Sequence, residues 1–316
     1  MCLERRVSCQ NVSSSRPAPS RRSILHRDGG PDSLRAGKRG ASLEQPQIRF
    51  NDGAAYEGFM GVWSRLAGES FLQWLAPPAQ GRWADIGCGN GAFTELLFER
   101  CAPTSVHGID PSEAQLAFAR GRLKQAPAQF TPGDAMALPW ADDAFDAAVM
   151  ALVIFFVPDP PRSVAEMARV VRPGGSVSSY AWDIPGGGFP YTALQEEIGA
   201  LLGTAPPWPP SAAATSMPAL RELWQAAGLL EVATHEITVQ RTFADFDTWW
   251  NIARTGPRLA STIAALTPDQ TAALKGRMAK RLRPAADGRI MCSARANAIQ
   301  GRVGPKSYRH HRPAPA

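Results

Sequence analysis

Three acidic residues, Asp85, Asp110 and Asp134, stand at the ends of the short runs "RWADIG", "SVHGID" and "AQFTPGD". Directly after the first, Gly87, Gly89 and Gly91 occupy alternate positions of "ADIGCGNGAF". A Gly-x-Gly-x-x-Ala run, here Gly87, Gly89 and Ala92, can grip a pyrophosphate at a strand-to-helix turn, so on spacing alone a nicotinamide or flavin nucleotide fits. The carboxylate of Asp85 opposes that ligand. Repulsion between it and a phosphate about 5 Å away is on the order of 3 kcal/mol at an effective dielectric of ~20. Ligands of an open parallel sheet sit beyond the carboxyl ends of its strands, so the three acids line one crevice. A crevice of that sign suits a ligand with cationic and hydroxyl groups where a dinucleotide carries phosphates.

S-adenosylmethionine is such a molecule, with an ammonium, a sulfonium, a ribose diol and an adenine amine. Asp85 can stabilise the cationic amino-acid end, and Gly87, Gly89 and Gly91 let the backbone come close. Asp110 can accept both ribose hydroxyls and Asp134 the adenine amine. Methyl transfer from a sulfonium asks the protein for alignment, exclusion of water and, for some acceptors, removal of a proton. It demands no catalytic dyad, and none is visible. Asp183, by its place after the fifth strand, and His235, by its titration range, are the candidate bases.

The elements that must position these residues alternate in type. Apolar strands are expected at 82–87, 105–110, 128–134, 145–152 and 176–182, most of them too apolar for a sheet wetted on one face. Helices are expected at 93–100, from Pro111 and Ser112 to 125, and at 161–171, stopped by "RPGG". Alternation of this kind specifies a parallel sheet covered on both faces. Residues 184–217, with "PGGGFP" and "PPWPP" around one helical stretch at 194–202, read as a lid or binding segment. A helix through "ALRELWQAAG", a strand "LEVATHEITV", one or two helices within 244–283 that also cover the crevice, and a last strand at 288–299 complete the reading. His107 and His235 are expected in the core, and of the adjacent Trp249 and Trp250 only one is expected to face it.

The ordered set "WADIGCGNG", "HGIDPS", "PGDAMALPWADDAFD" and "VVRPGG" resembles the successive motifs of class I S-adenosylmethionine-dependent methyltransferases, above all the type 11 group that includes quinone-biosynthesis C-methyltransferases. The resemblance spans about residues 56–183 and, more loosely, the chain to 303. It implies an α/β, Rossmann-like, doubly wound sheet of seven strands in the order 3-2-1-4-5-7-6, the last strand antiparallel, with helices on both faces. It further implies that Asp85 through Gly91, Cys88 included, meet the methionine end, that Pro111 packs on adenine beside Asp134 and Ala135, that Ala151 lies near the methionine, and that Arg65 meets the ligand carboxylate.

Composition limits the alternatives. The net charge is +6, but residues 1–43 carry nine Lys/Arg against three Asp/Glu and 301–316 carry four against none. The remaining body is net acidic, which disfavours a basic groove for nucleic acid. An "NPPY"-type run is absent after the fourth strand, where the chain reads "ALVIFFVPDP", and this points away from amino-group methylation of nucleobases. Five scattered cysteines without a Cys-x-x-Cys pair suggest reduced thiols and a cytoplasmic setting, and five histidines without ligand spacing suggest no metal site. No apolar run reaches the ~20 residues of a membrane span. Residues 1–43 read as a disordered basic leader, whose Arg and Ser content also fits a transit peptide, and 304–316 as a disordered basic tail, leaving 44–303 as the functional domain. The expected partner is a small, partly apolar methyl acceptor; the rival functions are an NAD(P)-dependent oxidoreductase and a cofactor-binding protein without activity.

Overall fold

The computed structural model describes residues 57–204 and 206–305; the leader and most of the tail lie outside the described residues. Seven strands, β1 (Arg82–Ile86), β2 (Ser105–Asp110), β3 (Ala128–Pro132), β4 (Phe145–Ala151), β5 (Val171–Trp182), β6 (Leu229–Phe243) and β7 (Ile290–Val303), make one sheet of order β3-β2-β1-β4-β5-β7-β6. The first five pair in parallel, and β7 runs antiparallel between β5 and β6. This is the order the motif resemblance implies. The central strands are buried on both faces, as their apolar runs require: in β1 only Arg82 is exposed.

Nine α-helices are described: α1 (Val62–Leu75), α2 (Ala92–Cys101), α3 (Glu113–Arg122), α4 (Pro160–Val170), α5 (Thr192–Leu202), α6 (Met217–Ala226), α7 (Phe246–Ala253), α8 (Pro257–Ala264) and α9 (Pro268–Arg281). Their starts are written locally. Ser112 accepts the Gln115 N–H ahead of α3, Asp159 accepts the Arg162 N–H ahead of α4, and Thr267 with Gln270 forms a capping box for α9. Prolines at 257 and 268 stand in first turns, which divides the stretch 244–283 into three helices where one or two were expected.

The sequence reading did not include α1. Its apolar stripe, Trp63, Ala67, Phe71 and Trp74, has helical spacing and packs onto the sheet, with Phe71 4.7 Å from Tyr180 and Trp74 stacked on His235 at 5.5 Å. One residue of that contact corrects an expectation. His235 is exposed at the edge strand, with the Trp74 ring stacked on it, because the first half of β6 carries little of the core. Trp249 and Trp250 are a second correction: both are buried, since α7 is enclosed beside Phe246 and Tyr191.

β6 and β7 are longer than expected, pairing continuously from Ala233↔Gln300 to Phe243↔Ile290. The last residue of β5, Trp182, faces Ala296, which in turn faces Ile237. Residues 238–243 and 290–295 therefore stand beyond the carboxyl end of β5, a wall about 20 Å tall at ~3.4 Å per residue.

Candidate functional site

The site begins where β1 ends. Gly87, Gly89 and Gly91 have φ of 74°, 52° and 78°, a region open to glycine without steric cost. The N–H groups of Gly87 and Cys88 both donate to the Ile109 carbonyl, at 2.8 and 3.1 Å, pinning the loop to the end of β2. The glycines serve different neighbours. A Cβ at Gly87 would stand 2.5 Å from Val153 Cγ1 and one at Gly91 3.0 Å from Ala119 Cβ, while one at Gly89 would meet nothing within 4 Å. Gly87 and Gly91 thus make room for the protein's own packing, and of the three Gly89 alone borders open space.

Cys88 is buried, and its thiol is pushed far above its ordinary range by burial and by the charges of Asp85 and Asp110. It is a small space-filling side chain, and a partner the sequence reading passed over makes its seat: a Cβ at Gly108, in mid-β2, would stand 2.7 Å from Cys88 Sγ. A glycine inside a strand is the signal that could have found it.

Asp85 is 1% exposed. Its Oδ2 accepts the Thr94 hydroxyl at 2.6 Å, whereas Oδ1 is buried with no hydrogen-bond partner among the described residues. Burial, against the Thr94 bond and with the help of Asp110, raises the carboxyl to about 7. A buried carboxylate oxygen without a donor favours a cation or a donor-bearing ligand over a phosphate.

Asp110 ties the loops together. Its Oδ2 accepts the Gly89 N–H at 3.0 Å and its Oδ1 the Ser112 N–H at 2.9 Å, so both oxygens keep lone pairs for further donors. Burial raises its pKa and these two bonds oppose the rise. On the next strand the exposed Asp134 accepts the Met136 N–H at 2.8 Å, and the Gly133 N–H donates to the Asp110 carbonyl at 3.2 Å. Asp85, Asp110 and Asp134 thus lie at the carboxyl ends of three adjacent strands. Exposed Pro111 and half-buried Ala135 adjoin the second and third acids.

Half-buried Ala151 ends β4, and the residue after it, Leu152, takes a left-handed φ of 58° with its N–H donating to the Tyr180 carbonyl at 2.8 Å. That conformation, uncommon away from glycine, turns the chain so that Val153 closes on Gly87. No sequence signal marks it.

Three candidates are placed elsewhere. Arg65 pairs with Glu99 at 2.7 Å and Glu69 at 3.3 Å on the surface of α1 and α2. Glu99 lies seven residues into α2, about 10 Å along the axis from the glycine loop, so Arg65 is not brought to the loop. Asp183 is buried at the end of β5, but Arg295 holds its Oδ2 at 2.6 Å and the Gly186 N–H its Oδ1 at 3.1 Å. A carboxylate so engaged anchors a turn. His235, exposed on β6 at the level of Tyr180, faces α1 and not the crevice. His107 is half-buried against Phe145 at 5.3 Å, and burial followed by Arg82 lowers its pKa, as befits a neutral packing residue.

A family model described as a methyltransferase domain of type 11 matches residues 84–178. The chain is 34% identical over 129 residues to a 2-phytyl-1,4-naphtoquinone methyltransferase of Thermosynechococcus vestitus, covering 40% of this chain and 55% of the relative. It is 34% identical over 122 residues to a ubiquinone/menaquinone biosynthesis C-methyltransferase of Dinoroseobacter shibae, covering 37% and 47%. The chain spans about half the length of the curated relatives it matches. Among solved structures, phosphoethanolamine N-methyltransferase 2 of Haemonchus contortus, bound to phosphomonomethylethanolamine and S-adenosylhomocysteine, shares the fold at a TM-score of 0.51 and 17% identity, over 80% of this chain and 57% of that one.

Proposed function

We propose that this chain, whose residues 84–178 belong to the type 11 family of class I methyltransferases, transfers a methyl group from S-adenosylmethionine to a small, partly apolar acceptor. The observation that carries the reading is the Oδ1 of Asp85, buried beneath the glycine loop with no partner among the described residues. When bound, the cofactor supplies an electrophilic methyl on a sulfonium. The residues that would hold it are Asp85 at its ammonium, the Gly89 backbone along the methionine, Asp110 at the ribose diol, and Asp134 with Ala135 and Pro111 around adenine, with Ala151 beside the methionine. Cys88, Gly87 and Gly91 shape the loop from within. A nicotinamide dinucleotide would bring its pyrophosphate against the buried Asp85, and the site offers no compensating cation on the loop.

The acceptor enters from the side of β4 and β5. Residues 184–217 and 244–283 act as its lid: Phe189 packs on Trp208 at 5.8 Å and Tyr191 lies 6.4 Å from Trp249, joining both segments by aromatic rings that exclude water. Rings and few charges favour an apolar body over nucleic acid. Among the described residues no helix is long and apolar enough to cross a membrane. Free, buried Cys88, Cys101 and Cys292 suit a reducing compartment, and we assign the protein to the cytoplasm.

The test is a thermal-shift comparison. S-adenosylmethionine and S-adenosylhomocysteine should raise the melting temperature and NAD(H) should not; stabilisation by NAD(H) alone overturns the reading. Labelled methyl transfer into fractionated extract then identifies the acceptor.

A further inference from the structure

Arg241 is half-buried on β6, yet among the described residues no carboxylate pairs with it. Its Nη1 donates to the Gly58 carbonyl at 2.9 Å and, more weakly, to that of Phe59 at 3.5 Å. Its guanidinium carbon lies 4.5 Å from the centre of the Phe243 ring. These contacts engage one nitrogen and one face. The Nε–H and Nη2 donors have no partner among the described residues, although a guanidinium presents five N–H groups. Burial disfavours its charge, and only Tyr191 and Cys292 act in the opposite sense. Withdrawing a cation from water without an opposite charge costs free energy that two neutral carbonyls offset only in part.

Its place in the fold says what it faces. Arg241 pairs with Cys292, four residues past the level at which β5 ends, and so lies about 13 Å beyond the carboxyl end of β5 at ~3.4 Å per residue. The α1 side confirms that height: Trp74 meets His235, while Gly58 and Phe59, some 15 residues earlier, meet Arg241 six residues further along β6. About 22 Å of helix therefore runs antiparallel to about 20 Å of strand, and the turn before α1 stands with Arg241 beyond the carboxyl end of β5. Beside the cation a ring of the lid meets the turn before α1: Phe59 stacks on Tyr191 at 4.3 Å, and the Tyr191 hydroxyl donates to the Phe59 carbonyl at 3.0 Å.

We propose that Arg241 is the acceptor's anion anchor: it binds an acidic group, a carboxylate or its equivalent, at the far end of an apolar methyl acceptor lying under the aromatic lid. The assignment rests on the methyl-transfer reading and deepens it. Three strand spacings of about 4.8 Å separate β4 from β6, so for an acceptor whose methylated atom lies above β4 the acid stands roughly 10–15 Å away across the sheet. That span fits an elongated apolar acid. It does not fit a compact amino acid, whose charged groups would fall short of Arg241.

The test uses the full chain saturated with S-adenosylhomocysteine and a set of aryl and long-chain alkyl carboxylates, each paired with its neutral primary amide. Titration calorimetry should show at least one carboxylate binding about tenfold or more tighter than its amide, a difference of roughly 1.4 kcal/mol. Arg241→Gln should erase that preference while keeping the melting-temperature rise caused by S-adenosylhomocysteine, and Arg241→Lys should restore part of it. The proposal is overturned if no carboxylate is preferred, if Arg241→Gln keeps the preference, or if Arg241→Gln loses the S-adenosylhomocysteine response, which would make Arg241 a ligand of the cofactor. A wild-type protein that ignores S-adenosylhomocysteine defeats the methyl-transfer reading itself, a result read before any acid is added.

Discussion

Asp85 and Thr94 are joined by a 2.6 Å hydrogen bond that spans the glycine loop, from the end of β1 to the first turn of α2, with both side chains buried. The bond holds one carboxylate oxygen and leaves the other without a donor. The loop is therefore built around an unfinished polar contact, and the energetics of the site follow from it.

The first consequence is a pH dependence. The folded carboxyl of Asp85 is raised from 3.8 to about 7, so the native state holds a proton that the unfolded chain releases at lower pH. Stability is highest below the unfolded value and falls as pH rises through the folded one, by on the order of 4 kcal/mol in all at ~1.4 kcal/mol per pKa unit. A cationic ligand needs the ionised form, so its affinity should fall about tenfold per pH unit below pH ~7. Asp85→Asn should flatten both dependences, raise the melting temperature of the free protein by several degrees near pH 8, and abolish stabilisation by S-adenosylhomocysteine. Melting curves across pH with and without the ligand check each part.

Asp110 should separate folding from binding less cleanly. Its two oxygens hold the N–H groups of Gly89 and Ser112, so Asp110→Ala frees both and should cost about 1–3 kcal/mol of stability. Asp110→Asn can keep only one of the two acceptors. Both variants should weaken S-adenosylhomocysteine by tenfold or more, about 1.4 kcal/mol, as calorimetry would read. Unchanged affinity in Asp110→Asn would remove Asp110 from the cofactor site.

The glycines of the loop should respond in opposite ways. Gly87→Ala drives a methyl group to 2.5 Å from Val153 at a φ of 74° and should lower stability by about 2 kcal/mol or more, seen as a shifted urea midpoint. Gly89→Ala meets no protein atom at a φ of 52°, so its folding cost should stay near 1 kcal/mol while its loss of cofactor affinity is the larger effect.

Much of this site could be read from the chain because local chemistry encodes it. Acids at the ends of successive apolar runs, and glycines at alternate positions between a strand and a helix, fix a crevice and its sign before any contact is known. The sheet order came through motif resemblance, since strand periodicity alone does not say that β7 inserts between β5 and β6. What escaped was tertiary. Arg65 looked available only because Glu69 and Glu99 lie on other turns and another helix. His235 shares the period of Ile237 and Val239, but β6 is an edge strand whose first half is not covered by core. Gly108 and Leu152 act through neighbours far along the chain. Arg241 looked like one of many arginines until its lack of a carboxylate partner among the described residues, a property of the folded surroundings, set it apart.

Asp183 is where a base and an anchor make opposite predictions. Its Oδ2 takes Arg295 Nη2 at 2.6 Å and Nε at 3.1 Å, while three backbone bonds knit the same turn: Asp183 N–H to the Arg295 carbonyl, Arg295 N–H to the Gly188 carbonyl and Gly188 N–H to the Asp183 carbonyl. A Cβ at Gly188 would stand 2.4 Å from the Arg295 carbonyl oxygen, so the turn tolerates no bulk there. Asp183→Asn keeps the shape but removes the charge that holds a partly buried guanidinium. It should cost about 1–3 kcal/mol of stability, visible as a lower melting temperature, and leave the pH profile of kcat unchanged below the melting range. A general base would show the reverse: little change in stability, a fall in kcat of about a hundredfold or more, and loss of the acidic limb of the profile. Arg295→Lys discriminates further, because an anchor needs the guanidinium fork on Oδ2 and loses stability without it, whereas a base would leave stability unchanged and show its effect in kcat.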